Sequence, residues 1–382
     1  MSGNGYFVNT TSGTITVTLP ASPSGGDIVY VKDYTGTFAD NACTVARNSS
    51  NIRGATNNFT LEKANSGAVF IYVDGTEGWQ VFVDGSDADA AIQYISATGG
   101  TITTSGNCKI HTFTGPGTFT VNSVSCSAAN NAVAYMVVAG GGGSGRSYGG
   151  GAGAGGFREG RTNPITPYTA SPLVTTGLTV TATDFPITVG GGGAKATPSV
   201  PANPATDGSN SIFSTITSTG GGGAGHYSNT ADPSNSQREG RPGGSGGGGA
   251  DGPTTGGNGN SPPVSPSQGN NGGTGFAPSR AAGGGGATAV GANASGSGAG
   301  AGGAGATTSI TGSPTAYAGG GGGFGNEGGA AAGTGGGGAG GNPGVAGTVN
   351  TGGGAGGTGS TPNCDMTNLG GSGIVVIRYK FQ

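Results

Sequence analysis

The chain has 382 residues, of which 92 are glycine and 8% are charged, and its formal net charge is −3. Charge this sparse lacks the basic stripe of a nucleic-acid binder and excludes a strongly charged, solvated tail. No apolar run approaches the roughly 18 residues that a membrane span needs, and residues 1–5 carry neither the basic nor the apolar part of a signal peptide.

Residues 1–85 read as a small all-β domain. The stretch 14–19 alternates, so Ile15, Val17 and Leu19 share one face. A Pro/Ser/Gly turn at 20–26 leads into a strand over 27–32. Further strands are predicted at 43–47, 59–62, 68–73 and 79–83, with turns at 48–51, 74–75 and 77–78. Many short strands separated by turn residues predict a sandwich or a small barrel. Residues 86–139 form a second segment, which opens on a linker or short helical turn at 85–91. Strands follow at 101–104, 107–113 and 117–124, the last after a Gly-Pro-Gly turn, and an apolar strand at 133–138 completes the segment.

From 140 to 373 the chain is dominated by short glycine tracts, such as 140–143, 190–193, 220–223, 246–249, 283–286 and 319–323. Helices and ordinary strands do not tolerate this density, because glycine loses the most backbone entropy on ordering and brings no side chain to bury. Collagen is excluded, since the glycines come in runs without a strict period of three. A flexible linker remains one reading. The other is a bundle of polyproline-II strands, with three residues per turn and no internal hydrogen bonds. Backbones in such a bundle approach closely and bond to one another wherever the inward position is glycine.

The bracketing favours the bundle. The strand at 133–138 precedes the region and a second, 374–381, follows it; Val375, Ile377, Tyr379 and Phe381 share one face, opposite Arg378 and Lys380. Pairing these two strands pins both ends of the glycine-rich region to one place. Two further β islands, 178–189 and 211–216, run straight into tracts. A partial repeat at an offset of 80 relates 140–143 to 220–223 and Arg158-Glu159-Gly160-Arg161 to Arg238-Glu239-Gly240-Arg241. The expected fold is an all-β N-terminal module (1–85), a linker and hairpin segment (86–139) and a polyglycine-II domain (140–382) closed by the strand 374–381, with essentially no α-helix.

Little in the sequence points to catalysis. Cys43, Cys108, Cys126 and Cys364 have no metal-ligand spacing; Cys108 and Cys126 flank a hairpin turn, and the four read chiefly as small buried hydrophobes. Patterns of the G-x-G-x-x-G kind carry no information in this composition, and no Walker, H-E-x-x-H or G-x-S-x-G motif stands in a supporting context. We expect no enzyme and no cofactor. His111 lies in a strand-like alternation and reads as structural. His226 and Tyr227 follow a glycine tract, where a loop tip is expected.

The segment 6–13, the alternating strand after it, Pro20-Ala21-Ser22-Pro23, Gly26-Asp27-Ile28 and Gly78-Trp79 resemble a β module of tail-fibre-like virion proteins of marine phages, cyanophages especially. The stretch 109–119, Val137-Val138-Ala139 with its glycines, and 371–379 resemble the glycine-rich domain of phage fibres. The glycine part is also similar to the polyglycine-II sandwich at the tips of some long tail fibres, whose end loops read the host surface. The resemblance implies a virion protein exposed on the particle, mounted on other virion proteins through its N-terminal module and trimeric. It implies contact with a bacterial surface polysaccharide or outer-membrane protein, without nucleic-acid binding or membrane insertion. The alternative is a capsid or tail decoration fibre with no dedicated receptor.

Recognition through a polyglycine bundle needs side chains, and these are scarce. Tyr148, Phe157, Tyr168, Tyr227, Phe276, Tyr317 and Phe324 are the aromatics of the region. They either cap the bundle and exclude water or stand exposed against a partner. The loops after 143, 223 and 323 carry the candidate receptor-binding residues Arg146, Tyr148, His226, Tyr227 and Phe324. Arg158, Arg238 and Arg280 either add hydrogen bonds to a target or bridge loops.

Overall fold

The computed structural model describes residues 3–84, 94–125, 128–162, 166–197, 204–227, 237–359 and 369–381. The chain forms two compact units, one built on the first 93 residues and one on the residues from 94 onward. Strands dominate the regular structure, and the helical element among the described residues is a single 3-10 turn at Ala128–Asn131. The all-β expectation holds.

In the first unit, a four-stranded sheet runs in the order Asn4–Val8, Ile28–Asp33, Gly67–Asp74, Gly78–Asp84. A three-stranded sheet runs Ile15–Thr18, Cys43–Ala46, Phe59–Leu61. One core takes Val29, Val31, Phe70 and Trp79 from the first sheet and Cys43, Val45 and Leu61 from the second. Both sheets stay open, so the barrel alternative is not realised. Of the face expected at 14–19, Leu19 is buried and Ile15 is exposed. Asp33 ends its strand by gathering backbone amides: Oδ1 accepts from Thr35, Gly36 and Thr37, and Oδ2 from Phe38 and Asn65.

The second unit is built on the pairing that the sequence led us to expect. Ile374–Lys380 lies between Ala132–Val138 and Cys108–Phe113, antiparallel to both. Phe157–Gly160 and Thr101–Ser105 extend the sheet on either side. A second sheet, ordered Ile216–Ser218, Ser211–Phe213, Asp184–Thr188, Gly117–Ser123, Ser96–Thr98, shares a core with Val133, Tyr135, Val137, Val375, Ile377 and Tyr379. The other face of the central strands is also covered, by a core that includes Met136, Val138, Phe157, Ile310, Tyr317 and Val376. Burial on both faces explains why 132–138 is continuously apolar. It also means that the face opposite Val375, Ile377 and Tyr379, which carries Arg378, is not open to solvent there. Arg378 is buried, donates to the carbonyls of Ile310 and Pro167 at 3.2 Å, and lies over the Tyr168 ring.

Beyond the sheets the glycine-rich chain is an ordered bundle, and segment 149–156 is its central strand. Gly150 and Gly153 donate to Gly225 and Gly222, Gly151 and Ala154 to Ala282 and Gly285, and Ala152 and Gly155 to Ala355 and Gly352, all at 2.8–3.0 Å. Each neighbour is therefore met at every third residue, as a three-residue turn demands. The same strand accepts hydrogen bonds from Gly142, from Ser245 and Gly248, and from Gly321. It thus has six neighbours, five antiparallel and one, 281–286, running in the same direction. Serines lock the transition from sheet to bundle, with the buried hydroxyls of Ser211 and Ser218 donating to Val138 and Val137.

Two sequence expectations need refinement. Interior positions are not all glycine: Ala152, Ala154, Ala224 and Ala355 are buried, and Ala152, Ala224 and Ala355 pack on one another. A methyl is accommodated where it points into the gap between strands. The offset of 80 relates 140–143 to 220–223 as adjacent strands, but the tetrads diverge. Phe157–Gly160 is a sheet strand with Glu159 buried, accepting from Thr308 and Ser171, whereas 238–241 runs within the bundle.

Candidate functional site

The reversals of the bundle remote from the sheets meet in one cluster. The chain leaves Val138, runs through 139–145 and turns back at 146–148, where Ser147 and Tyr148 both take positive φ, 53° and 60°. Non-glycine residues pay for this conformation. It is held by hydrogen bonds on both sides: Ser147 donates to Gly359, Gly149 to Thr358 and Asp251 to the Tyr148 carbonyl. The second reversal joins the first through Tyr227, whose amide donates to the Arg146 carbonyl at 3.2 Å. A third joins through Phe324, which donates to the Gly149 carbonyl.

Side chains follow the backbone. The Tyr148 and Phe324 rings lie 6.1 Å apart between centroids, a tilted aromatic pair. The Arg238 guanidinium lies 4.2 Å from the Tyr227 centroid, a close cation–π contact. At the edge of the cluster, the 276–280 loop is tied by paired backbone bonds between Phe276 and Arg280. Arg280 forms an ion pair with Glu327 of the 324–328 turn, and Ser279 donates to the Asp251 carboxylate. Phe276 is 42% exposed.

The structure thus brings four of the five candidates together as half-exposed groups on a fixed support: Arg146, Tyr148, Tyr227 and Phe324. His226 belongs to the same turn but is buried, with 1% of its surface exposed. Burial, aided by the Arg146 cation, holds its pKa below the ordinary 6.5. The residue after a glycine tract is still inside the bundle here; the tip begins one residue later. The seven aromatics divide by end of the bundle. Phe157 and Tyr317 fill the core against the sheet, with Tyr168 packed on it, whereas Tyr148, Tyr227, Phe276 and Phe324 sit at the reversals.

Asp251, Glu327 and the stacking role of Arg238 were not legible in the sequence, because their partners lie on other reversals. His111 is buried, with its ring nitrogens near the Gly99 carbonyl (2.7 Å) and the Tyr379 hydroxyl (3.1 Å). Cys43 and Cys108 are free and buried, and burial, with a contribution from Asp33, pushes the Cys43 thiol up to about 11; Cys126 and Cys364 lie outside the described residues. Among the described residues no group of three or more His, Cys, Asp and Glu is placed to hold a metal ion, and no helix is long and apolar enough to cross a membrane.

Residues 112–380 match the family of the glycine-rich domain, most of the chain. The chain belongs to that family. The match begins within the Cys108–Phe113 strand and ends at Lys380, so this glycine-rich domain includes the paired strands that close it as well as the tracts. No curated protein matches the sequence.

Proposed function

We propose that the protein is a phage virion fibre protein whose glycine-rich domain acts as an adhesin, with the reversals around Tyr148, Tyr227 and Phe324 as the host-contacting surface. The observation that carries this reading is the pairing of aromatic and Arg groups on turns whose backbones are bonded to one another and to the bundle. A rigid support of this kind holds side chains in place for a partner at little entropic cost on binding. It also leaves their identity free to change, because the bundle is held by main-chain hydrogen bonds. In this reading the first unit mounts the chain, as a trimer, on other virion proteins, and the ligand is a bacterial surface polysaccharide or outer-membrane protein.

The test is the triple substitution Tyr148→Ser, Tyr227→Ser and Phe324→Ser. Folding, followed by circular dichroism, is expected to change little, while adsorption of particles carrying the variant to host cells is lost. Normal adsorption by a well-folded variant would overturn the adhesin reading and favour a decoration fibre.

A further inference from the structure

One flank of the bundle carries an ordered array of polar side chains that the tip cluster does not use. Segments 238–243 and 254–259 run parallel, with Gly240 donating to Thr255 and Gly243 to Asn258. Segment 270–275 runs antiparallel to 254–259, with Gly272 donating to Gly257 and Gly275 to Thr254. These registers place Glu239, Thr255 and Thr274 in one row across the strands. Pro242, Asn258 and Asn271 form a second row, three residues further along. At about 3.1 Å per residue the rows stand about 9 Å apart. All six residues are exposed.

Between the rows runs an open groove of about 520 Å³, floored by Gly240, Gly256, Gly257 and Gly272. Its chemistry is specific. Asn271 Oδ1 accepts from the Gly259 amide at 2.8 Å, which leaves its NH2 group without an intramolecular partner among the described residues. The Asn258 amide and the Thr255 and Thr274 hydroxyls have no side-chain partner within the described chain, and the peptide N–H and C=O of Gly256 are likewise unbonded there. Donors and acceptors therefore alternate over a short distance on a bare backbone floor. The lining holds no cation, one carboxylate (Glu239) and one apolar ring (Pro242).

We infer that this groove is a binding site for a neutral oligosaccharide lying across the strands between the two rows. Sugar hydroxyls both donate and accept, so they satisfy Asn, Thr and open peptide groups together, and the C–H face of a pyranose packs on Pro242. An anionic ligand meets Glu239 with no compensating cation. A mainly apolar ligand would leave the polar lining unpaired, which is costly. The site is separate from the tip cluster and does not depend on the adhesin reading.

The test uses the full chain labelled with 15N. Neutral hexasaccharides of glucose, galactose and mannose and an acidic hexasaccharide of galacturonic acid are titrated while amide shifts are followed. At least one neutral probe is expected to shift Thr255, Gly256, Asn258 and Asn271, and the acidic probe to bind more weakly. The double variant Thr255→Ala, Asn258→Ala, altered only at exposed positions, is expected to lose about tenfold in affinity, the scale of one or two hydrogen bonds. The triple tip variant should bind as the parent does. Absence of shifts with every neutral probe, shifts confined to the tip, or preference for the acidic probe would overturn the assignment.

Discussion

A side-chain carbon on Gly221 would lie 2.2 Å from the carbonyl oxygen of Gly153. No real Cβ is tolerated at that distance, and the obstacle is backbone of the central strand, whose neighbours surround it. Gly221→Val is therefore expected to destabilise the second unit by about 3 kcal/mol or more. Gly191, where a Cβ meets nothing within 4 Å, is the matched control, and Gly191→Ala should leave the thermal midpoint nearly unchanged. Equal midpoints for the two variants would rule out the packing described.

Hydrogen exchange separates the interior of the bundle from its flank. Amides of 149–156 each donate to another strand and should rank among the slowest in the chain. The amide of Gly256, on the open groove, should exchange fast. Uniformly rapid exchange through 149–156 would return the region to a flexible linker.

Asp33 is expected to be the most sensitive surface-proximal position of the first unit. Its two oxygens accept five backbone amides. Asn in its place keeps one acceptor oxygen and turns an NH2 against the remaining amides. Asp33→Asn should cost about 2 kcal/mol, within the range for hydrogen bonds to a charged acceptor. Denaturant unfolding followed by Trp79, the chain's single tryptophan and buried in the same core, measures it directly.

The two units should weaken in different pH windows. Burial lowers the pKa of His111 and of His226 below 6.5. Each folded state favours the neutral ring, so the stability they carry is full above pH 6.5 and shrinks as the pH falls through their lowered values. Burial alone would raise Asp33, but the amides of Phe38, Asn65, Thr37 and Thr35 outweigh it and hold the carboxyl below 3.8. Its contribution is present above 3.8 and is lost only as the pH falls through that depressed value. Acidification should thus weaken the second unit first, while Trp79 fluorescence stays native. Loss of the native Trp79 fluorescence already near pH 6 would contradict this order.

Much of the fold was readable along the chain because strand signals are local. Runs of strand-forming residues between turn signals located strands at 27–32 and 68–73, found at Ile28–Asp33 and Gly67–Asp74, the Gly-Pro-Gly turn set off Cys108–Phe113 from Gly117–Ser123, and the two apolar runs indicated the pairing of Ala132–Val138 with Ile374–Lys380. The order of the glycine region followed from composition together with those pinned ends. The candidate residues at the reversals were also visible, since side chains are so rare there. What only the tertiary structure decided is who meets whom. A polyproline-II strand makes no hydrogen bond within itself, so the bonds of 149–156 go to other segments, most of them distant in sequence, and no local pattern names those partners. Whether Ala152 fits, whether His226 reaches the surface, and whether Arg238 lies over Tyr227 depend on those partners. Arg378 is buried for the same reason: its strand is central, and both faces of the sheet are covered by chain that arrives from elsewhere.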